Sequence, residues 1–294
     1  MTPHDEPVDL GLPPLELDPA TSTARTSWPT DLLPLRGHYP GLPIVPGVFL
    51  VDVAARAARA LVGGPDARLT GVARVRFLRP VLPGDPLRVE VARSAGGVRC
   101  RLDVDGAPAA TVTVVLDGPG ALGDPDGPPR VPADRGAAAR DVAEVLPHRW
   151  PMLLVDRALA VRPGAWSVAE KLVGVQDWVY AGRATTGGYP WPLVLESWCQ
   201  AAGLLAAWDR PNPDVLTGDV MLFAGLSDVT FGAPVRPGDV LRHHVRLVRE
   251  LDGAVVVTGV CVAGARTVMT VGSVSMAMRP ASVLPAAAPV AVGA

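Results

Sequence analysis

GHYPGLPIVPGVFLVDVAARAA, residues 37–58, sets a histidine in a proline-stiffened loop that runs straight into an apolar helix. Pro40, Pro43 and Pro46 each fix φ at about −65°, and Gly37, Gly41 and Gly47 supply sharp backbone angles between them, so the loop around His38 is expected to be rigid. Rigidity suits a general base. Pro46 is placed to open the helix, and the amide of Gly47 in the first turn has no intrahelical acceptor, leaving it free for a carbonyl or oxyanion oxygen. A base and an oxyanion donor thus lie within one short stretch. One acid, Asp52, interrupts the apolar run that follows.

This stretch resembles the signature GHFPGxPxMPGxxxx(D/E)xxxQ of the hotdog-fold 3-hydroxyacyl-[acyl-carrier-protein] dehydratases (FabA/FabZ-like). The match runs from Gly37 through Gly47, and Asp52 follows His38 at the family's spacing. The resemblance implies an α+β fold, a long helix wrapped by an antiparallel sheet. It also implies dehydration of 3-hydroxyacyl chains carried as thioesters on acyl carrier protein.

The totals constrain the rest. A chain of 294 residues with 49% hydrophobic residues can fill two cores. Net charge is −2 and no basic run occurs, so nucleic acid is excluded as a partner. The start MTPHDEPVD lacks a basic and apolar leader, and no apolar run reaches the ~18 residues that span a bilayer. The expected location is the cytoplasm. Cys100, Cys199 and Cys261 are widely separated, which fits reduced core thiols rather than disulfides or zinc ligands.

Taken in order, residues 1–15 are expected to be loosely held, the run from Leu17 to Trp28 to form a strand, and Pro46–Val62 a helix stopped by Gly63, Gly64 and Pro65. Strands over 68–116 follow, then a Gly/Pro-rich linker at 117–140. Beyond it comes an internal repeat. GVARVRFLRPVLPGDPLRVEV (Gly71–Val91) aligns without gaps on GLSDVTFGAPVRPGDVLRHHV (Gly225–Val245), which a duplicated domain explains. The expected domains are therefore an N-terminal hotdog at 1–116, the linker, a C-terminal hotdog at 141–279, and a flexible tail at 280–294. The two copies are expected to form an intramolecular pseudo-dimer, a double hotdog, as a monomer or a homodimer of such units.

The second copy has its own helix, Pro192–Trp208, with Glu196 where the first has Asp52, and an insertion, DRPNPDVLTGD, after it. Its loop, GRATTGGYPWPLVLE (Gly182–Glu196), lacks a histidine. In homodimers of the family the histidine of one subunit faces the acid of the other, so the fused chain is expected to keep one site, His38 with Glu196. Polyketide synthase dehydratase domains, similar double hotdogs, divide labour the same way, with the acid written DxxxQ; here it reads Glu196 to Gln200. Gln200 and Tyr39 are supporting candidates. Asp52, with Arg56 four residues on, is expected to be a degenerate second site, its carboxyl pushed down by the cation, while burial keeps Glu196 protonated.

The activity this implies is elimination of water from a 3-hydroxyacyl thioester. His38 takes the C2 proton, Gly47 holds the thioester oxygen, and Glu196 gives a proton to the leaving hydroxyl. No metal or organic cofactor is expected, and the partner is an acyl carrier protein with its phosphopantetheine arm, in polyketide or specialised fatty-acid biosynthesis. A double-bond isomerase, a thioesterase and an inactive carrier-binding subunit are the alternatives. His148, in LPHRWPMLLVDR, reads as groove wall, and His243 and His244 point to opposite faces of a strand and cannot share a metal. Trp178, Trp191 and Trp198 fall near the second copy's pocket.

Overall fold

The computed structural model describes residues 8–64, 66–117, 141–181, 187–251 and 253–283. The first copy contributes β1 (Glu16–Asp18), β2 (Thr23–Ser27), β3 (Leu69–Phe77), β4 (Pro86–Ser94), β5 (Gly97–Val104) and β6 (Ala107–Leu116). The second contributes β7 (Arg157–Arg162), β8 (Trp166–Leu172), β9 (Asp219–Phe231), β10 (Val240–Leu251), β11 (Ala254–Ala263) and β12 (Arg266–Pro280). Four helices punctuate them: α1 (Leu35–His38), α2 (Gly47–Ala58), α3 (Val142–Val145) and α4 (Trp191–Ala207). Along β5 the pattern alternates, Val98, Cys100 and Leu102 buried between exposed Arg99 and Arg101, the period of a sheet with one face on a core. Helix α4 is buried on nearly every side, as a helix enclosed by a sheet must be.

All twelve strands form one antiparallel sheet in the order β1-β2-β4-β5-β6-β3-β9-β12-β11-β10-β8-β7. The order reads the same outward from its centre, where β3 pairs with β9. That junction carries the repeat's symmetry in its glycines. A Cβ on Gly71 would lie 2.5 Å from the Val229 carbonyl oxygen, and one on Gly225 would lie 2.4 Å from that of Val75, the residue aligned with Val229 in the repeat. Each copy uses the same glycine to let the other's backbone approach. Inside the sheet α2 and α4 contact each other, and one continuous apolar core, including Phe49, Leu50, Leu193 and Trp198, runs through both halves. Each such side chain contributes about 1.5–3 kcal/mol by its burial.

Several boundaries differ from expectation. The run from Leu17 to Trp28 is not one strand: Asp18 accepts from the Thr21 hydroxyl at 2.6 Å and folds the chain back, so β1 pairs with β2. Helix α2 starts at Gly47, with Pro46 as its N-cap, and closes in a π-helical turn, Arg59–Gly63. Residues 8–15 are held rather than loose. Leu10 is buried, Val8, Leu12 and Leu15 pack on the core, Val8 donates to the Gly188 carbonyl at 2.8 Å, and Arg56 donates to that of Pro13 at 3.0 Å. The C-terminal strand runs on through Pro280 into a 3₁₀ turn, Ala281–Val283, anchored by the Ala281 amide on the Gly218 carbonyl. The linker from 118 and the tail from 284 lie outside the described residues.

Candidate active site

His38 closes the short helix α1, and three contacts fix its backbone and ring. Gly37 lies so close to the second copy that a Cβ there would be 2.2 Å from the Arg149 carbonyl oxygen, while the Arg149 amide donates to Gly37 at 2.9 Å. The Tyr39 ring stacks on the imidazole at 4.6 Å between centroids. Nδ1 of His38 lies 3.0 Å from the Ile44 carbonyl, which can only accept, so Nδ1 carries the hydrogen and Nε2 is left with its lone pair. Burial pushes the imidazole down to about 4; the Glu196 charge pulls upward against it and His148 adds to the lowering. His38 is therefore a neutral base at neutral pH.

A satellite cluster of Tyr39, Leu42, Ile44, Val215 and Val220 holds the loop. Val215 belongs to the insertion after α4, and beside it the Leu216 side chain lies 3.0 Å from where a Cβ on Gly41 would stand. The Tyr39 hydroxyl donates to the Met221 carbonyl at 2.9 Å. The second copy thus braces the loop of the first from above.

Glu196 projects from the second turn of α4 and is buried. Its Oε1 accepts from Gln200 Nε2 at 3.0 Å and lies 3.5 Å from His148 Nε2. Gln200 also donates to the Met152 carbonyl (2.7 Å) and accepts from the Leu154 amide (2.8 Å), so its amide cannot turn. Burial pushes the Glu196 carboxyl up, but its interactions with His148, His38 and Gln200 together outweigh it and hold the group below the usual carboxylate range. This corrects the expectation of a protonated Glu196.

The expectation for Asp52 changes sign as well. Arg56 does pair with it at 2.8 Å, yet burial outweighs the cation and raises its carboxyl. What separates the two acids is geometry. Glu196 shares a cavity of about 390 Å³ with His38, Tyr39, Gly47 and Cys199; Asp52 does not line it, and its partner Arg56 is tied to the Pro13 carbonyl instead.

His148, which the sequence places in the groove wall without a chemical role, stands beside both His38 and Glu196. It is buried, its ring stands edge-on to His38 at 5.4 Å, and its Nδ1 is buried without a partner. The imidazoles of His38 and His148 and the Glu196 carboxyl each offer one atom within 4.8 Å of the others, a spacing open to proton transfer and equally to a bound cation. The contact of Gly37 with Arg149 brings the two histidine segments together, and nothing within either segment announces it.

Gly47, first residue of α2, lines the cavity, its amide lacking an intrahelical acceptor. The counterpart at the start of α4 is Trp191, its ring tilted 50° against Phe231 at 4.9 Å between centroids. Trp178, Trp191 and Trp198 line none of this cavity. His243 Nε2 lies 2.7 Å from the Ser197 hydroxyl inside the core. Residues 182–186 of the second loop lie outside the described residues.

Comparison with known proteins matches each copy separately. Residues 16–113 fit the model of the ApeI dehydratase (ApeI-like) and residues 146–272 that of the FabA-like domain. The chain is 37% identical over 117 residues to the 3-hydroxyacyl-[acyl-carrier-protein] dehydratase FabZ of Dechloromonas aromatica, covering 38% of this chain and 78% of that one. With the FabZ of Symbiobacterium thermophilum it shares 39% over 122 residues, 41% of this chain and 83% of the relative. Among solved structures it is similar to the dehydratase domain of the CurJ module of curacin polyketide synthase (TM-score 0.67, 11% identity, 94% and 100% covered). It is also similar to that of PpsC from Mycobacterium tuberculosis in complex with C12:1-CoA (0.62, 15%, 93% and 100%), and these likenesses carry the double-hotdog fold over nearly the whole length. The chain belongs to the hotdog-fold 3-hydroxyacyl-[acyl-carrier-protein] dehydratase family, as a tandem of two hotdogs.

Proposed function

We propose that this protein dehydrates 3-hydroxyacyl thioesters carried on acyl carrier protein to 2-enoyl thioesters, in polyketide or specialised fatty-acid biosynthesis. The observation that carries the reading is the meeting of His38 from one copy and Glu196 from the other in a single cavity. The family supports the substrate class; the shared cavity supports the division of labour.

The thioester carbonyl receives the Gly47 amide at the positive end of α2, which acidifies C2 and stabilises the enolate. His38 Nε2 takes the C2 proton; its Nδ1 hydrogen bond to Ile44 keeps the ring aimed and supports the imidazolium that forms. Glu196 is ionised before turnover, so it first accepts a hydrogen bond from the 3-hydroxyl. The proton then passes from the imidazolium, through Glu196, to the departing hydroxyl. The C–O bond breaks, the C2–C3 double bond forms, and the proton lost at C2 leaves in the water. His38 and Glu196 act from one side of the substrate, which makes the elimination syn.

The test is side-by-side assay of His38→Ala, Glu196→Gln and Asp52→Asn on a short 3-hydroxyacyl carrier substrate, with water loss read by mass spectrometry. The first two should lose activity and the third keep it. Retention in Glu196→Gln together with loss in Asp52→Asn would reverse the assignment.

A further inference from the structure

The 390 Å³ cavity grades from buried to exposed. His38, Tyr39, Glu196 and Cys199 form its closed end, while Leu78, Ala224 and Arg279 are exposed and mark its mouth. Two guanidinium groups line it, Arg79 just past the end of β3 and Arg279 near the end of β12. They stand on either side of β9: β3 and β12 are its two neighbours in the sheet. Arg79 gives one nitrogen to the Val104 carbonyl at 3.1 Å, and its Nε is buried with no partner. Arg279 gives one nitrogen to the Met278 carbonyl at 2.8 Å. Among the described residues neither pairs with a carboxylate. Two cations that share a cavity and are not neutralised by the protein describe an anion site.

The repeat supplies an internal control. In the gap-free alignment of Gly71–Val91 on Gly225–Val245, Phe77 falls on Phe231 and Pro80 on Pro234, so Arg79 falls on Ala233. The guanidinium is present in the copy whose helix start is open at Gly47 and absent from the copy whose helix start is filled by Trp191. A residue serving the sheet alone would have no reason to follow the pocket.

We propose that Arg79 and Arg279 bind the phosphate ester at the far end of the substrate's pantetheine arm, fixing how deep the thioester sits. This rests on the reading of the cavity as a thioester site. The phosphate is common to a carrier-protein arm and to coenzyme A, and a guanidinium fork matches its oxygens in pairs.

The experiment compares 3-hydroxybutyryl-pantetheine with 3-hydroxybutyryl-4′-phosphopantetheine, which differ by the phosphate alone, on the wild-type protein and on Arg79→Ala/Arg279→Ala. The wild type should favour the phosphorylated thioester in kcat/KM by about tenfold to hundredfold, the range for hydrogen bonds to a charged group. In the double variant that ratio should fall towards one. Arg79→Lys and the single Arg279→Ala, the latter at an exposed position, guard against a folding defect and should give intermediate ratios. A wild-type ratio near one, or a ratio unchanged in the double variant, overturns the proposal. Running the same acyl group on coenzyme A and on a carrier protein tells which source of phosphate the site prefers. If the wild type releases no water from any thioester, the dehydratase reading fails by itself, and the phosphate ratio is then read as a ratio of Kd values by calorimetry.

Discussion

Gly47 and Trp191 hold the same place, the first residue of the two central helices, and their exchange separates an open cavity from a filled one. At Gly47 the space a side chain would take is already touched by Phe77: an added Cβ would sit 2.8 Å from the ring. At Trp191 the indole fills the equivalent space against Phe231. Gly47→Ala should push the Phe77 ring into the cavity and lower kcat/KM by about tenfold, and Gly47→Trp should abolish turnover while leaving a cooperative unfolding transition. An active Gly47→Trp variant would separate the cavity from the chemistry.

Acid should unfold this protein early. Burial pushes His38 and His244 down to about 4 and His243 down to about 3, each below the usual 6.5. As pH falls below 6.5 the unfolded chain takes up protons that the folded chain refuses, so stability is full above 6.5 and is lost progressively towards pH 4. Each group contributes up to about 1.4 kcal/mol per pH unit. Glu170 and Glu196, held below the carboxylate range, act in the same direction at lower pH; Asp52, raised, opposes them. Urea unfolding at pH 7.5, 6 and 5 measures it, and a flat profile would contradict the burial of these imidazoles.

The insertion after α4 is predicted to act on the rate rather than on the fold. Val215 packs with Leu42 and Ile44 in the small cluster that carries the His38 loop, outside the main core. Replacing 211–217 by a short Gly/Ser connection should shift Tm by only a few degrees, because the large core is untouched. It should lower kcat severalfold by freeing Ile44 from its position at His38 Nδ1. A large Tm loss without a kcat effect would make the insertion a plain stabilising element.

Much of this was legible in the sequence because the deciding residues lie at fixed local spacings. His38 to Gly47 is one loop, Glu196 to Gln200 one helical turn, and the repeat fixes the partner strands. What local spacing cannot carry was missed. His148 joins the site only because Gly37 touches Arg149, a contact between residues more than a hundred positions apart. The acidity of Asp52 and Glu196 depends on how burial balances against several partners, so Arg56 taken alone gives the wrong sign for Asp52 and burial taken alone the wrong sign for Glu196. The segment at 8–15 looked polar and loose, yet its four apolar residues, Val8, Leu10, Leu12 and Leu15, reach the core.

Chelation separates the two uses of the buried trio. If His38, His148 and Glu196 handle protons alone, dialysis against EDTA should leave kcat unchanged and added zinc should inhibit by capturing the base. Loss of activity on dialysis, restored by one divalent ion, would require a cation among them and a different mechanism.

His148 is the member of that trio whose contribution a paired substitution can isolate. Its Nε2 lies 3.5 Å from Glu196 Oε1, and its interaction leads the influences that hold that carboxyl down. Glutamine can set an amide nitrogen near the same place, whereas leucine keeps the volume and removes the donor. In His148→Leu the Glu196 carboxyl should rise, so the proton handed over by His38 is retained instead of released to the hydroxyl. The acidic limb of the kcat/KM profile should then move to higher pH, with about tenfold lower activity at pH 7. His148→Gln should recover most of the loss and place the limb near its original position. A groove-wall role predicts otherwise: leucine, closer in character to the apolar lining, would then do no worse than glutamine, and neither variant would move the limb.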